Sequence, residues 1–280
     1  MARPNILYIH SHDTGRYVQP YGHAVETPNL QRLAEGSIVF RKAFCAAPTC
    51  SPSRAALLTG QSPHSAGQIG LAHRGVGHID LAQHLAATLR DAGYTTGLSG
   101  VQHVTTDQSL LPYDHLMTPP TCTEADTVDG AIRFLDTADP DEPFFLAVGF
   151  WDTHRPYLEP DDPVTAMLTK PPAHIPDTPE TRHDMACYNT SARRLDASIG
   201  AVLDTLDALG LADDTLVICT TDHGIAFPQM KCNLTDDGMG VMLMMRGPGC
   251  EAAPGACDAM VSHVDVFPTV CDLLEIDAPA

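Results

Sequence analysis

Cys50-Ser51-Pro52-Ser53-Arg54, running into Ala55-Ala56-Leu57-Leu58-Thr59-Gly60, sets a cysteine, a proline, a serine and an arginine at the head of an apolar stretch. Proline fits the first turn of a helix, where its missing N–H would have had no partner, and Gly60 fits the end of one. A helix starting here aims unpaired backbone N–H groups, the positive end of its dipole and the Arg54 guanidinium at the Cys50 side chain. That setting suits an anionic group. A buried structural cysteine is the competing reading, and this stretch alone leaves both open.

On either side, strand-like and helix-like segments alternate. Asn5 to His10, Thr95 to Val101, Pro143 to Phe150, Thr215 to Thr221 and Val241 to Arg246 read as strands. Leu30 to Glu35, Leu81 to Ala92 (ending at Gly93), Ala125 to Ala138 and Asn189 to Leu209 have helical spacing. This alternation predicts an α/β fold, a mainly parallel sheet sandwiched by helices, in a single domain over 1–280. The proline- and charge-rich residues 155–188 read as a long excursion over the active face.

Polar clusters fall at four predicted strand ends, where open α/β sheets bind ligands. His12 and Asp13 follow the first strand, His103 the next, His154 the third and Asp222-His223 the fourth. A carboxylate beside an imidazole, with Gly224 permitting a sharp exit, is a natural pair of metal ligands, and also a common turn. His10 shares a strand face with His12 and reads as a packed histidine or a support behind the site. His-x-His after a first strand also suggests an amidohydrolase-type metal-dependent barrel, which leaves Cys50 to Arg54 unexplained.

The chain has 280 residues, 44% of them hydrophobic, and a formal charge of −19. That length supports a sizeable core, and the charge argues against nucleic acid or an acidic membrane surface as a partner. No apolar run approaches the roughly 20 residues that span a bilayer, and no leader is evident, so the expected compartment is the cytoplasm. Nine cysteines without Cys-x-x-Cys spacing argue against a disulfide framework or a structural zinc site. An anionic substrate would need locally placed cations, for which Arg54, Arg155 and Lys231 are the candidates.

Cys50-x-Pro52-Ser53-Arg54 with Ala55-x-Leu57-Leu58-Thr59-Gly60 resembles the signature of the type I sulfatases of the alkaline phosphatase superfamily. Pro4 to Leu7, Thr27 to Leu30, Phe40 to Phe44, Asp152 to Pro156, Asp222 to Gly224 and Asp265 to Thr269 extend the resemblance along most of the chain. The stretches around Cys50, His103, His154 and Gly224 to Pro228 are most similar to the sulfamidase branch. The resemblance implies that a formylglycine-generating maturation enzyme oxidises Cys50 to formylglycine, whose hydrated aldehyde is the nucleophile. It further implies one divalent metal held by Asp13, Asp222, His223 and the residue at 50. His12 stands where the family usually has aspartate. Bound together with His223 it would suit Mn, Zn or Fe better than the calcium expected of sulfatases.

By the same resemblance, Arg54 and Lys231 stabilise the transferring group, His154 or Lys231 protonates the leaving group, and His103 takes the proton that releases sulfate. The family's lysine two residues before that histidine is Val101 here. The implied activity is hydrolysis of a small sulfate ester or sulfamate, with a sugar among the candidate substrates. A phosphonate monoester or phosphodiester hydrolase and a non-catalytic sulfatase-like binding protein are the alternatives. The family's C-terminal subdomain, which follows Asp265 to Thr269, is expected to be absent or truncated.

Overall fold

The computed structural model describes residues 3–279 apart from 76, 78, 120, 121 and 251–253. Its strands are β1 Asn5–Ser11, β2 Ile38–Phe44, β3 Thr95–Gly100, β4 His115–Met117, β5 Phe144–Gly149, β6 Thr215–Thr221, β7 Leu243–Arg246 and β8 Gly255–Ser262. They form one sheet in the order β4-β3-β5-β1-β6-β7-β2-β8. β7 pairs antiparallel with β6 and β2; the remaining pairs are parallel. The helices are α1 Pro28–Glu35, α2 Cys50–Thr59, α3 Leu85–Asp91, α4 Glu124–Asp136, α5 Pro163–Leu168, α6 Pro179–Ala208, α7 Asp236–Met239 and α8 Val266–Leu273.

Strand alternation divides the core into two layers. Ile6, Tyr8, Phe145, Leu216 and Ile218 face one side, packed on Leu57 of α2, Leu85 and Leu89 of α3, and Phe267 and Val270 of α8. Leu7, Ile9, Phe144, Leu146, Val148 and Val217 face the other, against Leu30 and Leu33 of α1, Phe134 of α4, and Leu195, Ile199 and Val202 of α6. Both faces of the central strands are therefore buried, so these strands read as unbroken apolar runs. The register pairs His10 with Gly149 and Thr220, and Gly100 with Gly149. The carboxyl ends of β3, β5, β1 and β6 thus lie side by side.

Two predicted elements differ in the structure. Residues 81–92 are not one helix: a 3-10 turn over Leu81–Gln83 stops at His84, whose extended backbone (ψ 141°) starts α3 afresh. The His84 Nδ1 accepts from Ala86 N at 3.0 Å, a cap that the apolar periodicity hides. The 155–188 segment is not irregular throughout. It contains α5, and its last ten residues are the first turns of α6, begun by a Thr178–Thr181 capping box with Pro179 at the first helical position. β2, β4 and β8, which were not predicted as strands, lie toward the sheet's margins.

Candidate active site

Cys50 is the first residue of α2, and every residue of that helix is buried. Its Sγ lies 3.3 Å from His223 Nε2. The His223 Nδ1 donates to Gly224 O at 3.0 Å, which leaves Nε2 facing the cysteine. Asp13 lies beside them: its Oδ1 is 3.3 Å from His223 Nε2, and its Oδ2 accepts from Lys231 Nζ at 2.6 Å. Asp13 has a left-handed backbone (φ 51°), as does His103 (φ 63°). Such geometry costs on the order of 1–3 kcal/mol in a non-glycine residue and needs local support. For Asp13 that support includes its own N–H, which donates to Asp222 Oδ1 at 2.8 Å.

Donor atoms of Asp13, Cys50, Asp222 and His223 lie within 4.8 Å of one another, and all four residues are buried. Asp13 Oδ1 is a buried atom without a hydrogen-bond partner. Two sequestered carboxylates, one aimed imidazole nitrogen and an orphaned acceptor fit a divalent cation. His12 falls in an overlapping group with Cys50 and His103, and its Nε2 is 3.8 Å from Asp222 Oδ2. The four-residue cluster therefore contains one imidazole, not two.

The histidine chain has a readable proton order. Phe150 O can only accept, so the His12 Nδ1, 3.3 Å away, donates to it. The neutral His12 Nε2 then accepts from the His103 Nδ1 at 3.2 Å, leaving His103 Nε2 as a free base. Burial, reinforced by Arg54, pushes His103 down to about 4 and holds His12 well below the usual imidazole range. Both rings are neutral at physiological pH.

The cations serve different purposes. Arg54 is only 3% exposed and lies beneath the cluster, donating from Nη2 to Asp222 Oδ2 at 3.0 Å and to Ser11 O at 2.9 Å. Its Nη1 meets His10, whose ring stacks on Tyr8. Close passage there needs a glycine, since a Cβ on Gly149 would sit 2.5 Å from the His10 ring and 1.9 Å from Val101 O. Burial pushes the Asp222 carboxyl up, but His223 and Arg54, with the Asp13 N–H, outweigh it and hold the group well below the usual range. Burial likewise opposes the Lys231 charge, and Asp13 overcomes it, raising the ammonium. The Cys50 thiol moves the other way: burial, then Asp222 and Asp13, push it far up, so the unmodified side chain is a thiol at neutral pH.

His154 joins the cluster from the loop after β5. Its Nδ1 donates to Arg155 O at 2.6 Å and its Nε2 lies 4.0 Å from Asp13 Oδ2. Arg155 does not join. It pairs with both oxygens of Asp184, donates to Ala226 O and stacks over Tyr157. Three further residues, unmarked by any sequence motif, complete the surroundings. Trp151 packs on His12 and His154. His73 stacks parallel to His103, with centroids 5.7 Å apart. His263 links Ser53 to Thr220 from below, at 3.3 and 3.1 Å.

The His154 loop rests on a buried acid. Asp152 O accepts from His12 N at 3.0 Å, and Asp152 N donates to Glu124 Oε1 at 2.7 Å, while Glu124 Oε2 has no partner. Burial, then the Asp152 charge, push Glu124 up to about 7 from 4.5. The folded state thus holds this proton more tightly than the unfolded chain, and stability falls as pH rises from about 4 to 7. Glu124→Gln is expected to remove that slope. It should equal wild type near pH 4 and exceed it by about 3 kcal/mol at pH 8, from 1.36 kcal/mol per pKa unit. Urea melts of both proteins across this range check it; parallel pH profiles would refute it.

A sequence profile of the family described as Sulfatase matches residues 4–276. The chain is similar to N-sulphoglucosamine sulphohydrolase of Homo sapiens, with 34% identity over 319 aligned residues covering 100% of this chain and 62% of that protein. It therefore spans about three fifths of the length of this relative. Its fold is similar to a structure solved in complex with k-i-k-neocarrahexaose (TM-score 0.81, 22% identity, 99% of this chain and 73% of the other). It is also similar to one solved with its substrate D-glucosamine-2-N,6-O-disulfate (TM-score 0.80, 18% identity, 99% and 78%).

Proposed function

The chain belongs to the sulfatase family, and from that membership we propose that it carries the catalytic domain of a metal-dependent hydrolase that cleaves sulfate esters or sulfamates through a formylglycine made from Cys50. The observation that carries this reading is the placement of Cys50. It opens a buried helix against Asp13, Asp222 and His223, in surroundings that keep the plain thiol protonated. A thiol so held is a poor nucleophile. The hydrate of an aldehyde at the same position offers one hydroxyl to attack sulfur and a second to expel sulfate.

Asp13, Asp222, His223 and the residue at 50 would hold the divalent ion, which supplies Lewis-acid stabilisation and lowers the pKa of a bound hydroxyl. One imidazole in this set makes an oxygen-rich site, closer to the family's calcium than to the zinc-like ions that His12 would favour. Lys231, anchored on Asp13, brings an ammonium to the cluster and stabilises charge on the transferring group. Arg54 acts one layer down, fixing the Asp222 carboxylate. His103 Nε2, neutral and unprotonated, accepts the proton of the second hydroxyl, and His154, with Nε2 4.0 Å from Asp13 Oδ2, serves the leaving group.

The substrate is proposed to be an N- or O-sulfated sugar, by analogy with the human N-sulphoglucosamine sulphohydrolase and the disulfated glucosamine complex. Co-expression with a formylglycine-generating enzyme, followed by mass spectrometry of the peptide containing Cys50, tests the nucleophile. Comparative turnover of an N-sulfo sugar, an aryl sulfate and an aryl phosphonate tests the class. Preference for the phosphonate would replace the sulfatase reading with phosphonate hydrolysis.

A further inference from the structure

Away from the Cys50 cluster, a second set of metal-ligating side chains lies where the segment after β5 crosses α6. Cys187 and His183 sit one turn apart on α6, and Glu159 reaches them from the segment that starts at His154. Cys187 Sγ is 3.5 Å from His183 Nε2 and 3.9 Å from Glu159 Oε2, and those nitrogen and oxygen atoms are 3.2 Å apart. A tetrahedral zinc ion, with bonds of about 2.3 Å to sulfur and about 2.0–2.2 Å to nitrogen and oxygen, places its donors roughly 3.6 Å (S to N), 3.6 Å (S to O) and 3.4 Å (N to O) apart. The observed triangle matches those edges within a few tenths of an ångström.

We propose that Cys187, His183 and Glu159 form a second metal site, distinct from the one around Cys50, that takes a zinc-class divalent ion with solvent in the fourth position. Thiolate and imidazole select a borderline-soft ion, and one carboxylate oxygen cannot satisfy calcium's six to eight oxygen ligands. In the ion-free protein, burial and the Glu159 and Asp184 carboxylates push the Cys187 thiol up to about 11. Binding therefore exchanges the thiol proton for the metal–sulfur bond and releases that proton to solvent.

The site continues a row of ties along α6. Asp184 holds Arg155, and Ser191 Oγ accepts from Leu158 N at 2.9 Å. An ion at Glu159 fastens the same segment one residue past Leu158 and five beyond His154. The second site is independent of the chemistry at Cys50.

Cobalt(II) is the probe, because a thiolate ligand gives a near-ultraviolet charge-transfer band and tetrahedral geometry gives intense visible bands. After chelator treatment, one equivalent of cobalt should raise these bands in wild type and in Cys50→Ala, and zinc should abolish them. In the Cys50→Ala background, Cys187→Ser should lose the charge-transfer band. Glu159→Gln, a change at an exposed position, should weaken cobalt affinity by at least about tenfold. Bands missing from Cys50→Ala, a charge-transfer band persisting there when Cys187→Ser is added, or an affinity unaltered in Glu159→Gln would each overturn the site.

Discussion

Cys50→Ala is expected to lower kcat/KM toward an aryl sulfate by at least about 10⁴-fold, the scale on which removing a covalent nucleophile operates. The substitution deletes one buried sulfur and leaves the α2 backbone, Arg54 and Asp222 in place, so the melting temperature should move by only a few degrees. Wild-type protein made without the maturation enzyme should be nearly as inactive as the variant. The sulfur is then present, but burial, Asp222 and Asp13 hold it as a thiol, 3.3 Å from an imidazole that is itself turned toward Asp13 and Asp222. Cys50→Ser should behave like the alanine variant, since a serine hydroxyl lacks the second oxygen needed to expel sulfate. Steady-state kinetics on the four preparations, with mass spectrometry of the peptide containing residue 50, decide the matter. Full activity in a preparation whose residue 50 is an intact thiol would end the formylglycine mechanism.

The parts of this site that were legible in the sequence share one physical origin. β1, β5 and β6 are buried on both faces, so each appears as an apolar run whose end is marked by the first polar residue, and those ends carry His12, Asp13, His154, Asp222 and His223. Residue type and position along the chain thus coincide with position in the site. They do not reveal direction. Arg54 and Arg155 look alike as cations beside sequence motifs, yet one is locked under Asp222 and the other is turned outward onto Asp184 and Tyr157.

His73 and His263 reach the site from a short 3-10 turn each, where no periodicity marks them. The start of α6 was obscured because its first turns, Pro179 to His183, are polar and partly solvent-facing; burial on the helix begins at Met185. β8 has the same difficulty as an edge strand with five exposed residues among its eight, too few apolar positions to alternate.

The largest structural effect should come from Asp222→Asn. The side chain keeps its shape, and its oxygen can still accept from the Asp13 and His223 N–H groups at 2.8 and 3.0 Å. What is lost is the charge opposite Arg54, whose side chain is 2% exposed against 0% for Asp222. Removing one partner of a fully buried pair strands the other, at a cost of about 3–5 kcal/mol. For a chain of this size, 3 kcal/mol corresponds to a fall of roughly 6–12 °C in melting temperature, measured in chelator so that metal binding does not contribute. Metal uptake by elemental analysis and turnover should fall together, since a carboxylate ligand has gone. Adding Arg54→Met removes the stranded cation, and the double variant should regain part of the stability while metal content and turnover stay lost. Stability and function would then separate: the pair is replaceable as packing, and the carboxylate is not replaceable as a ligand. A double variant that melts below Asp222→Asn would show that Arg54 stabilises the fold chiefly through Ser11 O and His10, and the ion pair would lose its assigned weight.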